Sequence, residues 1–152
     1  MAARVDAGSK SAGLPKWAKG IFDRQLTQKY EIDCRLEPCM IHGDFNGDGK
    51  KDLAVLIKQR NTRVQGIAVL HSSGTAGNFF ILGAGHEIGN GGKDWSWMDV
   101  WSLYKRGPVE QSTDESVPPN LVGDALLVEK SESASAVVYF DGKSYSWYQQ
   151  GD

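Results

Sequence analysis

The sequence predicts an α+β domain, with one N-terminal amphipathic helix packed on a twisted, mainly antiparallel sheet of about six or seven strands. Three observations carry that expectation. Across 14–30, Leu14, Trp17, Ala18, Ile21, Phe22 and Leu26 recur at three- and four-residue steps, the period of a helix with one apolar face. Beyond Tyr30 the apolar residues come in short runs or alternate in twos, separated by turn-forming Gly, Asn, Asp and Ser. The chain has 152 residues, the size of one domain, and no unit repeats every few dozen residues as in a propeller or solenoid.

In chain order, 1–13 is polar, rich in Gly and Ala, and lacks the apolar core of a signal peptide, so it reads as a flexible tail before a single domain at 14–152. Pro15 suits the first turn of the helix, where a missing amide hydrogen costs nothing. Lys16, Lys19, Asp23, Arg24 and Lys29 fall on its solvated side. Tyr30, Ile32, Cys34 and Leu36 then alternate with polar residues, as in a half-buried strand. Cys34 and Cys39 enclose Arg35, Leu36, Glu37 and Pro38; the proline permits the turn that a disulfide needs, and two buried thiols are the other reading. Two cysteines exclude a zinc cluster built on them.

Strands are expected at 40–43, 53–58, 63–71 and 79–82. A glycine-rich segment at 83–94, GAGHEIGNGGKD, lacks the ending of a phosphate-binding loop. WSWMDVWSLYK follows, read as a strand with Trp95, Trp97 and Trp101 on one face: core packing if covered, a recognition surface if exposed. The prolines of 107–120 mark a loop. Strands return at 121–129 and 135–140, and the latter pairs with 143–148 across Asp141-Gly142, a strong hairpin signal.

The most specific chemistry lies in 42–57, HGDFNGDGKKDLAVLI. Asp44, Asn46, Asp48 and Asp52 place oxygen side chains at positions one, three, five and nine of a compact loop, with Gly49 at position six for the sharp turn and Lys50 offering its carbonyl at position seven. Hard cations need about six to eight oxygen ligands at roughly 2.3–2.6 Å, which alternate residues of a curled loop supply. Calcium is the expected ion, bound weakly, with magnesium as the alternative. An ordinary polar turn capped by Asp and Asn is the competing reading. Position twelve is Val55, not the bidentate Glu of an EF-hand, and 53–57 is an apolar run suited to a buried strand. The loop therefore joins two strands. In Asp44, Asn46, Asp48, Gly49, Asp52 and Leu53 it resembles the calcium loops of FG-GAP repeats, the strand-loop-strand units of integrin-type propeller blades; that likeness covers one hairpin.

From Leu14 onward, and chiefly in GNGGKDWSWMDVW and GDALLVEKSESASAVVYFDGKSYSWYQQGD, the chain is similar to a family of small uncharacterised bacterial proteins. That resemblance implies an exported, periplasmic or extracellular protein whose signal peptide is absent from this chain, with a cytoplasmic protein as the alternative. It brings no activity and no catalytic residues.

A net charge of −2, from 17 basic and 19 acidic residues, supplies no field that would gather nucleic acid or an anionic membrane. His42, His71 and His86 sit in no recognisable nucleophile arrangement, and G-x-S-x-G and H-E-x-x-H are missing from the sequence. The expected function is a non-catalytic, calcium-stabilised binding or structural module, monomeric, with an unknown protein or small ligand as partner. The alternatives are an interaction module or inhibitor of a secreted enzyme that uses exposed aromatics, and a hydrolase of unknown class. His86, Asn90, Asp94, Trp95 and Trp97 form the candidate ligand surface, because a polar loop beside large apolar anchors suits ligand capture.

Overall fold

The computed structural model describes residues 13–75, 77–112 and 116–151, so the tail expected at 1–13 lies almost wholly outside the described residues. The expected α+β architecture is overturned. Among the described residues there are nine strands in two antiparallel sheets, and the only helix beyond single 3-10 turns is short: α1, Lys16–Ile21, continued by a π-helical turn, Phe22–Leu26.

The first sheet holds β1 (Tyr30–Ile32), β2 (Met40–Gly43), β3 (Asp52–Gln59), β4 (Gln65–Leu70) and β5 (Phe79–Gly83). β3, β4 and β5 follow as a meander, while β1 and β2 share the other side of β3, β1 against Ile57–Gln59 and β2 against Asp52–Val55. Together they amount to one interrupted edge strand. At the interruption Asp33 N–H donates to Leu56 O at 2.9 Å and Leu56 N–H donates to Cys39 O at 3.1 Å. The intervening chain loops out, closed by the Cys34–Cys39 disulfide. Arg35 pins it by donating to Trp95 O at 2.9 Å, and Trp101 Nε1 donates to Pro38 O at 2.7 Å. The expected strand over 30–36 therefore stops at Ile32.

The second sheet is a plain meander of β6 (Val100–Tyr104), β7 (Ala125–Lys130), β8 (Ala134–Phe140) and β9 (Tyr145–Gly151). Ala54, Leu56, Ile67, Val69 and Leu82 of the first sheet face Trp101, Leu126, Val128, Val138 and Phe140 of the second. Leu53, Val55, Ile57, Ala68 and Leu70 point the opposite way, onto Leu14, Ala18, Ile21, Phe22 and Leu26. β3 is thus covered on both faces, which explains why 53–57 is apolar without alternation. A third cluster, Val109, Leu121, Ala125, Val137 and Tyr148, closes the outer face of the second sheet beneath the proline-rich connection.

The single-sheet expectation failed because period-two patterning shows which residues are inward but not what they face. The tryptophan strand is also corrected. Trp95–Trp97 is a 3-10 turn, capped where Asp94 Oδ1 accepts from Ser96 N–H at 3.1 Å, and the strand begins only at Val100. Trp95 and Trp101 enter the core between the sheets by different routes, and Trp97 packs on it half-buried.

Candidate metal centre

The loop 44–51 connects β2 to β3, whose last ladder pair is Gly43 with Asp52. Gly47 and Gly49 hold φ of 75° and 88°, in the left-handed region that β-carbon sterics disfavour. At Gly47 space is also decisive: a β-carbon there would fall 2.0 Å from Val122 O, so the loop lies directly on the chain leading into β7. Asp44 N–H donates to Asp124 Oδ2 at 3.0 Å, and Asp124 N–H returns a bond to Asp44 O at 2.8 Å. The loop thereby ties the first sheet to the second.

Asp44, Asp48 and Asp52 converge, each offering a carboxylate oxygen no more than 4.8 Å from the others, an arrangement that could hold a metal ion. That span lies inside the roughly 4.6–5.2 Å separating opposite ligands on calcium. Within the loop Asp44 accepts Asp48 N–H at 3.1 Å and Gly49 N–H at 2.8 Å, and Asp48 accepts Lys50 N–H at 2.9 Å and the Ser73 hydroxyl. Those bonds, the Ser73 hydroxyl first, hold the exposed Asp48 carboxyl below the usual range. A carboxylate has about four lone-pair positions, so Asp44 and Asp48 keep positions for a cation.

Asp52 differs. It is fully buried, and its Oδ2 accepts Phe45 N–H at 2.9 Å and Asn46 N–H at 3.4 Å, while Oδ1 accepts the N–H and hydroxyl of Ser72 at 2.9 and 3.3 Å. Burial raises its pKa to about 6 against the opposing pull of those donors. Its lone pairs are all engaged, so it fixes the loop to β3 and to the β4–β5 turn, and to touch a cation it must share an oxygen. Asn46 also reaches that turn, with Nδ2 donating to Ser73 O at 2.7 Å and Oδ1 3.4 Å from Asp48 N. Lys50 is exposed. Ser72, Ser73 and Asp124 complete the setting, yet they stand 20 to 80 positions from the loop residues they bond. No local sequence pattern marks them.

Beside the centre, His71 is buried with its Nε2 2.7 Å from Tyr145 Oη and its ring against Phe80 and Phe140. Burial lowers the His71 pKa to about 4 and raises that of Tyr145.

The other candidate residues are spread over different tasks. Asp94 caps the Trp95 turn and also accepts Gln65 N–H at 3.1 Å. Asn90 donates to Gln149 Oε1 at 3.3 Å. Trp95 is buried, and Trp97 is half-buried, its Nε1 donating to Gly91 O at 2.9 Å. The glycine segment lies against these rings and Trp147: a β-carbon on Gly89 would sit 2.3 Å from Trp147 Cβ. His86 is exposed, with Nε2 3.2 Å from Tyr30 Oη. Cys34 and Cys39 are joined, and no described helix is long and apolar enough to cross a membrane. No family model, curated protein or solved structure matches the chain.

Proposed function

We propose that the protein is a non-catalytic binding or structural module stabilised by calcium at the loop 44–51, and that it works in an exported compartment. The observation that carries the proposal is the convergence of Asp44, Asp48 and Asp52 at the point where both sheets and the β4–β5 turn meet. A cation there offsets the charge of the clustered carboxylates and adds a cross-link to the hydrogen bonds that hold the loop to the second sheet and to the β4–β5 turn. Calcium suits the donor set better than magnesium, because it accepts irregular oxygen shells while magnesium demands a near-ideal octahedron at about 2.0–2.1 Å. Asp44, Asp48, the Asn46 amide oxygen and the Lys50 carbonyl are the direct ligands in this reading, with water completing the shell. Affinity falls with extracellular modules, at about 10⁻⁴ to 10⁻³ M, which matches a compartment rich in calcium. The disulfide supports the same compartment, since such bonds persist in oxidising surroundings. Isothermal titration of chelator-treated protein tests the ion: calcium should bind one-to-one and Asp48→Ala should abolish the heat. A flat titration of the wild-type protein refutes the reading.

A further inference from the structure

β5 is an edge strand, and the register of its ladder shows which main-chain groups it leaves open. Ala84 N–H donates to Gln65 O at 2.9 Å and His71 N–H donates to Asn78 O at 3.0 Å. Those bonded pairs frame the ladder, so Ile67/Leu82 and Val69/Phe80 are bonded pairs as well, and the N–H and C=O of Phe79, Ile81 and Gly83 point away from β4. At Gly83 both outward groups are taken: Gly83 N–H donates to His86 O at 2.9 Å and His86 N–H donates to Gly83 O at 2.8 Å, across a tight turn with φ of 48° at Ala84 and 100° at Gly85. His86 is therefore the first residue of a further strand that the chain does not continue. The outward groups of Phe79 and Ile81 have no partner among the described residues.

A cavity of about 330 Å³ lies along this edge, within the size range of small ligand sites. Leu26, Phe79 and Ile81 supply apolar surface, Gln25, Gln28 and Lys29 stand at the end of the helical segment, and the Tyr30–His86 pair completes the lining. Among the described residues Lys29 is the one Lys or Arg that lines the cavity, and no Asp or Glu lines it. Exposed edges are ordinarily blunted by Lys, Pro or a bulge, yet the run FFILG of β5 carries neither residue and pairs in unbroken register.

We propose that this edge is a docking site for one extended segment of a partner polypeptide, which adds as a strand beside Phe79–Ile81 in line with His86. Main-chain bonds to Phe79 and Ile81 supply the affinity, the cavity takes one apolar side chain, and Lys29 selects an acidic residue next to it. A whole second sheet would have to displace the helical segment and the His86 turn that recess the edge, whereas a single strand need not. The site goes beyond the calcium reading and stands whether or not the loop 44–51 takes an ion.

The test uses a pool of acetylated, amidated heptapeptides with Thr-Val flanks, one Asp and a varied apolar centre, beside the same pool N-methylated at every central amide, so that neither edge of the peptide can pair. At about 1 mM peptide, the upper end for weak strand addition, the intact pool should slow hydrogen exchange at the Phe79 and Ile81 amides at least about tenfold. The N-methylated pool should not, and Lys29→Glu should reduce the protection by about fivefold or more. Ile81→Pro removes an outward N–H without touching the β4 ladder, so a variant with wild-type circular dichroism should lose the response. The proposal is overturned by an absence of protection across the pool, by equal protection from N-methylated peptides, or by protection that rises with protein concentration alone, the mark of a second copy.

Discussion

Replacing Asp48 and Asp52 by alanine separates ligand from anchor, because the two carboxylates share one cluster but not one set of partners. At a calcium concentration ten times the dissociation constant, binding stabilises the native state by about 1.4 kcal/mol. In a domain of this size that corresponds to a rise in Tm of about 3–6 °C. Asp48→Ala should remove this rise and leave the Tm in chelator close to wild type, since Asp48 is exposed and its lost partners regain water. Asp52→Ala strands the N–H groups of Phe45, Asn46 and Ser72 at a fully buried site. Each unpaired buried donor costs about 1–3 kcal/mol, so a loss of about 3 kcal/mol or more, or about 6–12 °C, is expected in chelator and calcium alike. Differential scanning calorimetry of the three proteins in calcium and in EGTA reads both effects. If Asp52→Ala matches wild type in EGTA and loses only the calcium-dependent rise, Asp52 is a ligand and not an anchor, and the division of roles is wrong.

In chelator, two buried groups should pull stability in opposite directions between pH 6.5 and 4.5. The folded pKa of His71 is lowered to about 4, so its contribution is present above pH 6.5 and lost on acidification; that of Asp52 is raised to about 6, so its contribution grows on acidification and is lost as pH rises through 6. Each shift is worth about 3 kcal/mol at full extent, so urea titrations should show His71→Gln gaining stability relative to wild type as pH falls and Asp52→Asn losing it; parallel curves for all three would refute the linkage. Gly123→Ala would place a β-carbon 2.3 Å from Asp44 O and 2.6 Å from Phe45 O, and should lower both Tm and calcium affinity, as calorimetry can check. Mass measurement after alkylation should find no free thiols until reductant is added, and the Cys34→Ser/Cys39→Ser double variant should lose about 2 kcal/mol, the loop entropy of a short cross-link.

The acidic loop was legible because its chemistry is local: the side chains of Asp44 and Asn46 both accept from Asp48 N–H, and glycines at positive φ flank Asp48. The β8–β9 hairpin was legible for the same reason, since Asp141 accepts the N–H groups of Lys143 and Ser144 inside the turn. What escaped was long-range. Nothing around Ser72 or Asp124 reveals that each meets the loop, and nothing in 53–57 reveals that its alternate residues face a helix on one side and a second sheet on the other. WSWMDVW has strand composition, yet one Asp94 side chain bonding Ser96 N–H turns its first half aside. Among the candidate ligand residues, the structure groups His86 with Tyr30 across 56 positions, a pairing that periodicity could not show.

The interrupted edge strand bears on how the protein can be altered. The chain leaves the ladder after Asp33 and rejoins it at Cys39 while both bond the same residue, Leu56, so the excursion occupies a single rung. Residues added between Leu36 and Glu37 should leave the register of β1 and β2 unshifted, provided that Leu36 stays packed on the core, Arg35 still reaches Trp95 and Pro38 still accepts from Trp101. A foreign epitope placed there would be carried on a disulfide-closed loop beside β3, outside both ladders.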